Sequence, residues 1–128
     1  MRLTKSLGAL GFVIVLATSL ASEAQPCVAG TAGGFPCNRI DLLAFMPLEQ
    51  LGGATVDAND LWGWTDAETG REFVLLGMRN GTAFIETTNP TAPIYLGRLP
   101  TQSASSAWRD VKVHKHHAFI VSEASAHG

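Results

Sequence analysis

Leu61-Trp62-Gly63-Trp64-Thr65, Arg71-Glu72-Phe73-Val74-Leu75-Leu76-Gly77-Met78, Thr82-Ala83-Phe84-Ile85-Glu86-Thr87 and Ile94-Tyr95-Leu96-Gly97-Arg98-Leu99 are four short apolar-rich runs in close succession. Each is rich in β-branched, aromatic and aliphatic residues and bounded by turn residues, so each reads as a strand. Asp66-Ala67-Glu68-Thr69-Gly70 ends on a glycine suited to positive φ, and Asn80-Gly81 is a strong hairpin signal. Asn89-Pro90-Thr91-Ala92-Pro93 carries two prolines that cannot donate to a ladder. Short turns between four strands predict one antiparallel meander over residues 60–99.

The pattern then restarts. Trp108-Arg109-Asp110-Val111-Lys112-Val113 reads as a strand, His114-Lys115-His116-His117 as a turn, and Ala118-Phe119-Ile120-Val121-Ser122-Glu123 as the next strand. One step of 46 residues superposes Trp62 on Trp108, Phe73 on Phe119, Val74 on Ile120 and Leu75 on Val121. That period falls in the range of propeller blades. A lone four-stranded meander has two apolar faces and buries neither alone; blades stacked around an axis bury both. The expected fold is therefore all-β, the start of a β-propeller of about one and a half four-stranded blades. The first blade covers about 60–99 and the second begins near 107, reaching two strands by Gly128. On this reading the residues are the beginning of a longer ring. The competing expectation is a six-stranded β-sandwich complete in itself.

The N-terminus carries a different message. Arg2 and Lys5 precede an apolar run from Leu7 to Ala17, and small residues follow up to Ser22-Glu23-Ala24. A charged start, a short apolar stretch and a small-residue site make a signal peptide, residues 1–24, with cleavage after Ala24 or else after Ala21. The run is short for a membrane span, which takes about 20 residues, although an uncleaved anchor is the alternative. Pro26 before Cys27 argues against a lipoprotein signal. Export places the protein in an extracellular or cell-surface location.

Residues 25–59 form an N-terminal extension. Cys27 and Cys37 flank Gly30, Gly33, Gly34 and Pro36, a flexible stretch that lets the sulfurs meet. In an oxidising compartment this pair predicts a disulfide, worth about 2–3 kcal/mol of unfolded-state entropy. It pins an otherwise loose segment. Pro47-Leu48-Glu49 suggests a short helical turn, and Gly52-Gly53 a joint.

Composition excludes some classes. The chain is 46% hydrophobic and 16% charged, which is globular rather than disordered. Net charge is −2, and losing Arg2, Lys5 and Glu23 with the signal makes it −3. Scattered cations on a net acid chain argue against nucleic acid as a partner. G-x-S-x-G, H-E-x-x-H and phosphate-loop motifs are absent from the sequence, so no catalytic residue and no cofactor is assigned.

Weaker candidates remain. His114, His116 and His117, with His127 beyond, are metal-ligating types, but a solvated hairpin tip explains the first three. Asp57, Asn59 and Asp60 are oxygen donors for a calcium site outside the EF-hand pattern, or else a polar lead into a strand. Trp62, Trp64 and Trp108 either pack between blades or stack on a ligand at a propeller mouth, where Arg109, Asp110 and His127 would join them.

The stretches Cys27…Phe35-Pro36-Cys37-Asn38, Trp62-Gly63-Trp64-Thr65-Asp66, Asn80-Gly81-Thr82-Ala83-Phe84, Trp108-Arg109-Asp110-Val111-Lys112-Val113 and Ser122-Glu123-Ala124-Ser125-Ala126-His127-Gly128 resemble the choice-of-anchor B family of bacterial LVIVD-repeat surface proteins. The resemblance implies an extracellular propeller attached to membrane or wall through a C-terminal anchor, which these residues do not include. It supplies no catalytic residues. The expected role is a surface-displayed binding or scaffold module for a protein or glycan. The alternative is an extracellular propeller hydrolase or lyase whose site other blades complete.

Overall fold

The computed structural model describes residues 24–52 and 57–126. The expected signal peptide up to Glu23, the Gly53 half of the joint and His127 lie outside them. The described chain is all-β apart from one 3-10 turn. Two short strands, β1 (Thr31–Ala32) and β2 (Phe35–Pro36), form a hairpin, and the 3-10 turn spans Leu48–Leu51. Then follow β3 (Ala58–Thr65), β4 (Glu72–Met78), β5 (Gly81–Glu86), β6 (Ile94–Pro100), β7 (Arg109–His114) and β8 (His117–Ser122). Strands β3 to β6 pair antiparallel in sequence order as a four-stranded sheet, and β7 pairs with β8 as a separate sheet. The expected meander is therefore present, with β3 starting three residues early because Ala58 pairs with Met78 across a bulge.

Alternation along the strands gives the sheet two faces. One presents Val74, Leu76, Met78, Ala83, Ile85 and Tyr95, and Met46, Leu48 and Leu51 of the extension pack on it. Met78 and Ala83 are completely shielded there. The other face presents Trp64, Phe73, Leu75, Phe84 and Leu96 toward Val113 and Ala118 of the second sheet. Filling such faces contributes about 1.5–3 kcal/mol per large apolar side chain.

Contacts besides the expected disulfide order the extension: Gly33 and Gly34 turn the β1–β2 hairpin at φ 55° and 87°, and Gln25 exchanges two backbone hydrogen bonds with Leu42. The 3-10 turn is closed by Gly52 at φ 93°. Its Leu51 goes under the sheet, where Met46 and Leu48 join it against Met78, Ala83 and Ile85. The extension thus covers one face of the four-stranded sheet.

The second sheet lies across β3 and β4 by way of β7, and Val111 is wholly buried. Close approach is set by Gly77: a Cβ there would lie 2.9 Å from the Arg109 carbonyl oxygen. The strand pairing does not follow the 46-residue offset as one gapless step. Val121 faces Asp110, whereas Leu75 faces Trp62. Matching Leu75 to Val121 therefore sets Asp110, not Trp108, at the Trp62 position. The cause is turn length: β7 and β8 are joined by Lys115-His116 alone, while residues 66–71 join β3 and β4. Two loops differ similarly in detail. His114 and His117 are paired strand residues rather than turn residues. The β4–β5 turn is Arg79-Asn80, with Gly81 opening β5, since a Cβ on Gly81 would overlap the Leu99 carbonyl of β6.

Candidate functional site

Part of the candidate set lies at the seam between the sheets. Asn59 and Asp60 sit near the start of β3, and both side chains reach the outer edge of β7. Asn59 Oδ1 accepts the Arg109 backbone N–H at 3.2 Å, and Asp60 Oδ2 accepts that of Val111 at 2.8 Å. An edge strand presents unpaired N–H groups, and here two side chains cap them. Lys112 closes the arrangement, its Nζ 3.5 Å from Asp60 Oδ2 and 4.7 Å over the Trp62 ring. The Val111 N–H foremost, aided by the Lys112 charge, holds the Asp60 carboxyl below its ordinary pKa. Asp57 turns away to pair with Arg79 at 2.6 Å. The three oxygen donors expected to converge on calcium therefore each face protein N–H groups or cations.

The tryptophans separate. Trp64 stacks on Phe73 with centroids 5.3 Å apart and meets the edge of His116 at 6.0 Å. It lines an apolar cavity of about 240 Å³ with Leu75, Phe84, Leu96 and Val113. Trp62 lies beneath Lys112 as described. Trp108 is 63% exposed and shares a shallow hollow of about 310 Å³ with Arg109, Asp110 and Glu123. So Trp108 and Asp110 are brought together at the surface, while Trp62 and Trp64 belong to the seam. Of the histidines, His116 approaches Glu68 at 3.8 Å and His114 pairs across the hairpin with His117. Cys27 and Cys37 are bonded, their Cα atoms 5.9 Å apart, a link compatible with an extracellular location.

Arg109, expected either as a binding residue beside Trp108 and Asp110 or as one half of a hydrogen-bonded pair with Asp110, is only 3% exposed. Its Nε donates to the Met78 carbonyl at 3.1 Å, and Nη2 is buried without a partner. Thr82 Oγ1, on a residue 1% exposed, is likewise unpartnered. Strand alternation was the available signal, because Arg109 shares the face of Val111 and Val113. Compared with protein-family models, with curated proteins and with solved structures, the chain matches none.

Proposed function

We propose that the chain contributes the first blades of an exported, cell-surface β-propeller of the choice-of-anchor B type, acting as a binding or scaffold module. The stacking of β7 and β8 on the face of β3–β4, with a side-chain-capped edge between them, supports the ring reading. The binding reading is carried by one observation: Trp108, a large aromatic, stands 63% exposed beside Asp110 and Glu123 in an open hollow. A flat apolar ring flanked by acceptors suits a sugar, whose C–H face stacks and whose hydroxyls donate. The role of this module is thus to hold a cell-surface glycan through Trp108 and Asp110.

The test is binding of the purified chain to arrayed bacterial cell-surface glycans, beside the Trp108→Ala variant. Binding that falls at least about tenfold in the variant, equivalent to about 1.4 kcal/mol, is the expected result. Binding indifferent to Trp108, or no glycan bound by either protein, would overturn it. Sequencing the N-terminus of the exported product should begin near Gln25.

A further inference from the structure

Two hollows follow one another beneath β8. The apolar cavity is lined by Ala118 of β8, Phe84 of β5 and Leu96 of β6. A second hollow, of about 250 Å³, is lined by Ile120 of β8, Thr82 of β5, Leu99 of β6 and Arg109. Each strand thus advances two or three residues between the hollows, which makes them successive stations of one groove. Its roof is incomplete: β7 is the one strand paired to β8 among the described residues, and the opposite edge of β8 is open.

Within the second hollow sits an uncompensated cation. Arg109 is buried, and among the described residues no carboxylate forms an ion pair with it. Desolvation pushes its pKa down, with no acid to restore it. A buried charge without a counter-charge is strongly unfavourable, and Thr82 adds a buried hydroxyl without a partner. Both residues line this hollow, and a guanidinium and a hydroxyl together suit a carboxylate, which accepts from both.

We propose that Arg109 and Thr82 form a carboxylate-binding station, and that the carboxylate arrives on an Asp or Glu of an extended strand lying along the open edge of β8. Such a strand sits about 4.8 Å from β8 and sends alternate side chains inward, about 6.7 Å apart. That spacing matches the step from Ala118 to Ile120. Running antiparallel to β8, it places the acid over Arg109 and, two residues later, an apolar side chain over Phe84 and Leu96. Main-chain bonds to β8 supply affinity and the two stations supply selectivity. The inference deepens the ring reading, in which this strand is the third of the second blade, but its geometry rests on the described residues alone.

The probes are two blocked peptides, acetyl-Lys-Thr-Asp-Thr-Val-Thr-Lys-amide and its counterpart with Asn for Asp, together with sodium acetate. Titration into the purified chain is followed by calorimetry and by the Arg109 Nε–H resonance. The Asp peptide should bind at least about tenfold more tightly than the Asn peptide, about 1.4 kcal/mol, and move that resonance. Arg109→Gln should erase the preference, and Thr82→Val, which keeps the shape of the side chain, should narrow it even if the first variant folds poorly. Equal affinities, or binding of neither peptide, would overturn the proposal. Acetate moving the resonance without any gain for the Asp peptide would overturn the strand as carrier. None of these failures touches the Trp108 glycan test, so the two readings fall separately.

Discussion

Asp60, near the start of the first long strand, holds the backbone N–H of Val111 at 2.8 Å, 51 residues away and in the other sheet. One side chain thereby ends one strand edge and fastens two sheets. Asp60→Ala should leave the Val111 N–H unbonded at the seam and lower the urea midpoint. Asp60→Asn keeps an acceptor oxygen and should lose less. Failure of the Ala variant to fall below the Asn variant would detach Asp60 from the seam.

The same carboxyl sets a pH dependence. The folded pKa of Asp60 is depressed chiefly by the Val111 N–H, that of Asp66 by the Thr69 hydroxyl, and that of Glu86 by Arg71. A depressed carboxyl stabilises the fold above its unfolded pKa and loses that contribution as pH falls through the folded value. Stability should therefore be level near neutrality and decline below about pH 4. Urea unfolding across that range should show a shallower acid decline for Asp60→Asn than for the parent.

Gly77 sits where the two sheets approach closely. An added Cβ would lie 2.9 Å from the Arg109 carbonyl and 3.4 Å from that of Asp60, both backbone atoms that cannot swing aside. Gly77→Ala should cost about 1–3 kcal/mol, as overpacking does. Gly63, whose Cβ would meet nothing within 4 Å, is the control and should tolerate alanine. Chemical denaturation of the two variants makes the comparison.

On the opposite face Leu51 is 3% exposed against Met78, Ala83 and Ile85. Leu51→Ala should cost about 2–5 kcal/mol. Reducing the Cys27–Cys37 bond should act elsewhere. Amide exchange should quicken first at Gln25, Cys37 and Leu42, whose hydrogen bonds close the extension, while β4 and β5 stay protected. Simultaneous loss throughout would show that the bridge supports the sheet itself.

The outer face of β7–β8 carries Phe119 and Val121, each 58% exposed, beside a strand edge that is open among the described residues. Such a surface favours self-association. Phe119→Lys should raise the monomer fraction in sedimentation velocity with little change in thermal midpoint, since the ring has little native packing to lose.

Local chemistry alone determined much of this protein. Six long strands, the Asp66–Gly70 turn, the all-β class and the Cys27–Cys37 link follow from short-range properties: β-prone runs, glycines at turns, and two cysteines a short flexible loop apart. What lies between elements was decided by tertiary structure. Nothing near Leu51 in sequence says that it will cover Met78, and nothing near Asp60 says that it will cap Val111, because both depend on how separate segments stack. Register was also out of reach, since a two-residue turn at Lys115-His116 displaced Trp108 from the position its spacing suggested. Arg109 shows the limit most sharply: alternation set it on the inward face, but only the stacked sheets buried it there and left the guanidinium without a counter-charge among the described residues.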